Sequence, residues 1–211
     1  MAEDPHPQPL SQGARGYTKR VRLPLADEVV ATLRASDYVY LTGELLTARD
    51  AAHKRMCEAL ARGEDLPVEI RGQVIYYVGP TPAKPGAITG SAGPTTSERM
   101  DGYTIPLLEA ELRGAIGKGG RGLLVREAFA KHRAVYFLAV GGAGALLSKQ
   151  VRRVEVVGYD DLGTEAMRRM EVEEFPAIVC NDMYGGDALE QGKREWRRAD
   201  VLGQSLSSLH S

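Results

Sequence analysis

The chain predicts an α/β domain built on a mixed sheet with flanking helices, and three observations lead there. Short runs rich in β-branched and aromatic residues recur, at 38–42, 74–78, 134–140 and 176–180. Between them lie stretches whose apolar residues fall at helical spacing, 49–62, 107–115 and 123–132. The run at 134–140 is apolar without a break, as in a strand covered on both faces. Strands that alternate with helices through most of a chain define this class.

Taken in order, residues 1–18 are rich in Pro, Gln, Gly and Ser and predict a flexible N-terminal arm. The alternating stretch 17–24 predicts a first strand. A short helix is predicted over 26–33, with Asp27 and Glu28 in the first turn, where the helix dipole favours acids. Residues 38–42 predict a strand closed by Gly43. The helix over 49–62 ends with Gly63 at the position where a left-handed residue is wanted. Residues 74–78 form the clearest strand and run into Gly79-Pro-Thr-Pro and a long loop. Helices are predicted over 107–115 and 123–132, then the strand 134–140. Gly141-Gly-Ala-Gly144 breaks that strand, and 145–151 turns helical. A strand follows at 154–157. A helix is predicted over 163–170, with Glu165 near its start and Arg168 and Arg169 near its end, and then the last strand, 176–180. From Gly185 the sequence is polar with modest helix propensity. The domain proper is expected over 19–185, followed by a polar tail, 186–211.

Composition narrows the function. The 211 residues suffice for one large domain or two small ones with a proper core. A formal net charge of −1 argues against a general nucleic-acid binder. No apolar run approaches the length of a membrane span, and the N-terminus lacks the apolar core of a secretory signal, so a cytoplasmic protein is expected. Its two cysteines, Cys57 and Cys180, read as reduced thiols. Two thiolates fall short of the three or four that hold an iron–sulfur cluster.

One stretch carries the chemistry: Gly90-Ser-Ala-Gly-Pro-Thr-Thr-Ser-Glu-Arg-Met-Asp101. It sets the hydroxyls of Thr95 and Thr96 beside the guanidinium of Arg99, on a loop shaped by glycine and proline. A second glycine-framed cation, Lys118, lies in Gly117-Lys-Gly119, and a third, Arg49, follows Gly43. Such a set suits a small carboxylate ligand. Gly117-Lys-Gly119 is no phosphate loop: its spacing from Gly114 is too short, the residue after Lys118 is not Ser or Thr, and it follows a predicted helix. Gly142-Ala-Gly144 after an apolar run resembles a dinucleotide fingerprint, with Asp160 and Asp161 downstream, but Leu147 occupies the third glycine position. Arg49, His53 and Cys57 share a helix face. His53 with Cys57 is half a metal site at most, and no metal is expected on this chain.

These residues together resemble a known family. Arg49-Asp-Ala-Ala-His53, Gly93-Pro-Thr-Thr-Ser-Glu-Arg-Met-Asp101, Ile116-Gly-Lys-Gly119, Val135-Tyr-Phe, Gly141-Gly-Ala and Leu162-Gly-Thr-Glu-Ala…Phe175-Pro-Ala occur in that order. The pattern is similar to the C-terminal domain of class I fumarate hydratases, and to the β subunit of two-subunit fumarases and L(+)-tartrate dehydratases, over roughly residues 19–185. Two departures are Gly102, where proline is common, and Glu111, where glycine is frequent. The resemblance implies a swivelling β/β/α domain. It implies a hydro-lyase that reversibly adds water to a C4 dicarboxylate, fumarate or malate first, tartrate second. It implies a [4Fe–4S] cluster held by a partner α subunit and not by this chain. Carried over residue by residue, it makes Thr95 the candidate base and Thr96 its hydrogen-bonding neighbour. Arg49, Arg99 and Lys118 become the substrate's carboxylate binders, with Asp50 and His53 in support. The competing expectations are a non-catalytic assembly subunit and a dinucleotide-binding regulatory module.

Overall fold

The computed structural model describes residues 18–197. All but the last residue of the expected N-terminal arm, and the end of the expected tail, lie outside that range. Seven strands form one mixed sheet: β1 (Thr18–Arg22), β2 (Tyr38–Thr47), β3 (Val74–Tyr76), β4 (Gly114–Gly117), β5 (Val135–Leu138), β6 (Val151–Gly158) and β7 (Met167–Asn181). The helices are α1 (Asp27–Val30), α2 (Asp50–Ala61), α3 (Asp101–Glu109), α4 (Leu123–Lys131), α5 (Gly144–Leu147) and α6 (Ala188–Trp196).

Strands β2, β3, β4 and β5 run parallel in that order, and β7 lies antiparallel to β5. Because β7 also pairs with β2, the five strands close on themselves into a barrel-like ring. Strand β1 extends β2 in parallel, and β6 flanks β7. Strands β3, β4 and β5 are covered inside and out, which explains the apolar runs at 74–78 and 134–140, while β2 and β7 expose Tyr38, Tyr40, Glu171 and Glu173 on one side of the ring. Ring residues divide with period two. Leu45, Val74, Tyr76, Ile116, Val135, Phe137 and Val179 fill the interior with Phe175. Leu46, Ile75, Ala115, Tyr136 and Cys180 face outward, against Met56 of α2, Leu107 and Leu108 of α3, and Phe129 of α4.

Five elements differ from the sequence expectation, each for a physical reason. Strand β2 does not stop at Gly43: it continues to Thr47 across a register shift against β7, with Gly43 at φ 130. The helix expected over 107–115 lies at Asp101–Glu109, after a 3-10 turn over Ser97–Met100. It ends because Glu111 adopts φ 65, so that the Leu112 N–H reaches back to the Leu107 carbonyl at 3.0 Å. Glu111 thus occupies a left-handed position, the reason glycine suits it; a non-glycine residue there costs about 1 kcal/mol. Its carboxylate returns part of that through Arg71 at 2.7 Å.

Residues 114–117 are strand β4 and not a helix end. Gly-Ala-Ile-Gly has poor strand propensity, but β3 and β5 pair with it on both edges. The helix expected over 163–170 is a 3-10 turn, Asp160–Glu165, followed at once by β7. The alternation of β7 is masked in the sequence by Glu174, a left-handed residue at φ 52 that offsets Val172 from Phe175. The helix expected over 145–151 shrinks to α5 and a 3-10 turn, because Val151 already pairs with Val172. In the polar C-terminal segment Asp187 accepts from the Leu189 and Glu190 N–H groups and starts α6.

Candidate active site

The parallel run β2–β5 brings four loops to one edge of the ring, the carboxyl ends of the strands, where open α/β sheets bind ligands. Arg49 follows β2, the Thr95–Arg99 segment returns after β3, Lys118 follows β4, and Gly141–Gly144 follow β5. The sequence candidates therefore converge. Lys118 emerges from a strand, contrary to the sequence reading that put a helix before it.

Backbone pairing fixes the central loop. The Thr95 N–H donates to the Tyr77 carbonyl at 2.7 Å, and the Thr95 carbonyl accepts from the Lys118 N–H at 3.2 Å. Thr96 and Lys118 form a parallel bridge, and the Ser97 N–H reaches the Lys118 carbonyl at 2.9 Å. Residues 95–97 thus prolong the β3 side of the β3–β4 pair. Thr95 is half-buried, and Thr96 and Lys118 are exposed. Among the described residues, neither threonine hydroxyl nor the Lys118 ammonium has a hydrogen-bond or ion-pair partner. The Tyr136 hydroxyl, 2.8 Å from both Ser97 Oγ and the Gly119 carbonyl, ties the two loops from below.

Arg99 ends the 3-10 turn and points back to α2. Its Nε donates to Asp50 Oδ1 at 3.0 Å, and its Nη2 lies 2.9 Å from the same oxygen. Asp50 also lies 3.7 Å from Arg49 Nη2, so one carboxylate is shared by two guanidinium groups. Asp50 was expected to orient Arg49; its shorter contacts are with Arg99. Arg49 lies across Gly79, where a Cβ would stand 3.0 Å from its Cδ. Its Nε is buried with no partner. The local set holds three cations, Arg49, Arg99 and Lys118, against two carboxylates, Asp50 and Glu165.

His53 supports Arg49 from beneath. It is fully buried, edge-on to Tyr77 at 5.1 Å, with Nδ1 2.9 Å from the Arg49 carbonyl. A carbonyl only accepts, so Nδ1 carries the proton, and the partnerless Nε2 is the bare nitrogen. Burial, with the nearby Arg121 charge, pulls its pKa from the ordinary value near 6.5 to about 4. A base whose folded pKa is depressed stabilises the fold above its unfolded pKa, and that stability is lost as pH falls through the folded one. We expect stability to drop by about 3 kcal/mol between pH 6.5 and pH 4 from this group alone. Urea midpoints measured across that range should show the drop, and His53→Gln should flatten it.

Sequence reasoning missed two residues. Arg121 is a buried cation under the loops, bonded to Asp101 at 2.6 Å, the Tyr77 hydroxyl at 3.1 Å and Thr104 Oγ1 at 2.5 Å. Burial opposes its charge, and Tyr77 and Asp101 more than offset that. Glu165 accepts from the Ala51 N–H at 3.0 Å and lies 3.5 Å from Arg49. The glycine loop after β5 has a packing role, with Gly144 against Gly93: a Cβ there would be 2.8 Å from the Gly93 nitrogen.

The cysteines stand apart from this set. Cys57 Sγ faces the Tyr103 carbonyl at 3.4 Å, and Cys180 is buried on β7. Burial pushes the two thiols up to about 11 and about 12, the opposite of what a metal-binding thiolate needs. Among the described residues no three His, Cys, Asp or Glu side chains gather as a metal site. The described residues, the two thiols included, do not fit an iron–sulfur cluster.

The sequence of 2–192 matches the family model described as Fumarase C-terminus. The chain belongs to that family. It is 38% identical to the anaerobic class I fumarate hydratase of Escherichia coli over 193 residues, 88% of this chain and 35% of that relative. It is 39% identical to the mitochondrial fumarate hydratase 1 of Leishmania major over 154 residues, 72% of this chain and 28% of that one. This fumarase-family chain thus spans about a third of the fumarate hydratases it matches. It is also 32% identical to the L(+)-tartrate dehydratase subunit beta of Escherichia coli over 199 residues, 91% of this chain and 98% of that subunit. No helix among the described residues is long and apolar enough to cross a membrane.

Proposed function

We propose that the chain is the substrate-gripping subunit of a hydro-lyase that reversibly adds water to a C4 dicarboxylate, fumarate/malate first and tartrate second. One observation carries this beyond the family. At the carboxyl ends of β2–β5, Lys118 and the two threonine hydroxyls, without partners among the described residues, sit beside two arginines that share Asp50. That arrangement holds an excess of positive charge and open donors, which a dianionic acid would satisfy. The swivelling β/β/α classification and a cytoplasmic setting belong to the same proposal.

The working enzyme on this reading pairs the chain with an α subunit carrying a [4Fe–4S] cluster, which supplies Lewis acidity at the substrate hydroxyl. The unsuited thiols of this chain and its match to a relative named as a beta subunit support that division. This chain's own residues bind and move a proton. Arg99 offers the edge of its fork that Asp50 leaves free, a planar match to a carboxylate's two oxygens. Arg49 and Lys118 add charge to the same dianion. In dehydration the Thr95 oxygen takes the proton from the carbon next to a carboxylate, and in hydration it returns it. A threonine serves as a base only as its alkoxide, so its own proton would first pass to solvent water, and the neighbouring cations would stabilise that oxyanion.

Arg99→Lys keeps the charge and loses both the fork and the Nε bond to Asp50. We expect turnover of the reconstituted enzyme to fall at least about tenfold, roughly 1.4 kcal/mol of transition-state stabilisation. Steady-state kinetics at full cluster occupancy measure this, and wild-type turnover would remove Arg99 from the site. The dinucleotide reading loses support, because the backbone of Gly93 fills the space at Gly144 and α5 is four residues long.

A further inference from the structure

We propose that Glu165 is a positioning residue that sets the guanidinium of Arg49 for the substrate; this rests on the reading of Arg49 as a carboxylate binder. Glu165 divides its two oxygens between two tasks. Oε2 accepts the Ala51 N–H at 3.0 Å and so satisfies a free donor in the first turn of α2, the helix that Arg49 caps. Oε1 lies 3.5 Å from Arg49 Nη2. One carboxylate therefore ties the backbone of the α2 start to the side chain that leaves it. Both side chains are 26% exposed, so the pair is shielded on one side and open on the other.

The rest of the turn is built to hold Glu165 still. Arg168 donates to the Gly163, Thr164 and Ala166 carbonyls at 2.6, 3.0 and 3.0 Å and locks the turn from within. Arg55 of α2 grips Asp161 with both ends of its fork, at 2.7 and 2.5 Å. The Thr164 carbonyl closes over Gly79, where a Cβ would stand 3.0 Å from it and equally close to Arg49 Cδ. Arg49 is thereby walled by Gly79, Asp50 and the 160–165 turn. Asp50 alone cannot fix it, because its shorter bonds go to Arg99. Glu165 supplies the second anion that keeps Arg49 apart from Arg99 and turned toward the open edge.

The test is a double-mutant cycle on the complete enzyme, the full chain with its cluster-bearing companion. Dissociation of succinate, a four-carbon diacid that cannot react, is measured by calorimetry beside KM and melting temperature. Glu165→Gln keeps an oxygen for the Ala51 N–H and removes the charge. We expect it to weaken succinate and raise KM about tenfold with little change in melting temperature. Arg49→Lys should weaken succinate as much, and the double variant should be no worse than Arg49→Lys alone. Wild-type succinate affinity in Glu165→Gln beside a weakened Arg49→Lys would overturn the role of Glu165 and leave the clamp standing. Additive losses would overturn it too, since Glu165 would then act without Arg49. An effect that appears only together with the melting loss of Glu165→Ala would mark a plain helix cap and overturn the proposal. Unchanged binding in Arg49→Lys would remove the clamp itself.

Discussion

Thr95→Ala is expected to abolish exchange of solvent deuterium into malate or tartrate and to cut turnover by about 10²–10⁴-fold, the usual contribution of a positioned acid or base. By transition-state arithmetic that is roughly 3–5 kcal/mol. The expectation rests on where the backbone puts the residue. Two hydrogen bonds, to the Tyr77 carbonyl and from the Lys118 N–H, hold Thr95 at the end of the ring, while no group of the described chain occupies its hydroxyl. Removing the side chain leaves those backbone bonds in place, so folding should be spared. Thr95→Ser, which keeps the oxygen, should retain most of the exchange. Normal exchange in Thr95→Ala, followed by mass spectrometry, would exclude Thr95 as the base.

Arg121→Met should destabilise the fold by about 3–5 kcal/mol, the cost of breaking a buried ion pair from one side. The guanidinium side chain is fully buried and holds Asp101 Oδ1, while Asp101 Oδ2 accepts the Gly122 N–H at 2.7 Å. It also lies against the rings of Tyr77, Phe129 and Tyr136 at 5.1–5.5 Å. Methionine would fill much of the space but leave Asp101, Thr104 and the Tyr77 hydroxyl short of a donor. Arg121→Met with Asp101→Leu should recover part of the loss, because no unpaired carboxylate then remains. Denaturant unfolding of the three variants measures both effects. A loss under about 1 kcal/mol for the single variant would show that the pair contributes no more than an exposed one.

The sequence made the α/β class legible because strands alternate with helices through most of the chain and β3, β4 and β5 are buried on both faces. What it hid follows from long-range pairing. Gly114-Ala-Ile-Gly117 is a strand only because β3 and β5 hold its edges, and no local propensity reveals that. Met167 and Met170 are buried on opposite faces of β7, an i, i+3 pair that resembles a helix, and the left-handed Glu174 interrupts the period-two pattern further along. The candidate residues Arg49, Thr95, Thr96, Arg99 and Lys118 were legible as cations and hydroxyls beside glycines. Their convergence was not, since it depends on four parallel strands ending at one edge. The further partners of the arginines, Asp50 for Arg99 and Glu165 for Arg49, stayed hidden for the same reason. Glu165 is more than a hundred residues from Arg49 in the chain, and a predicted helix masked the turn that delivers it. Arg121 gave no local signal at all: a lone arginine after glycines reads as solvated.

On the proposed function, the loops at the carboxyl ends of β2–β5 grip both ends of a diacid. A crystal structure of the complete enzyme with bound malate tests it most directly. Substrate carboxylates are expected within hydrogen-bonding reach of Arg49, Arg99 and Lys118, with a carbon next to one of them about 3–3.5 Å from the Thr95 oxygen. Malate bound elsewhere, with these three cations left facing solvent, would contradict that grip.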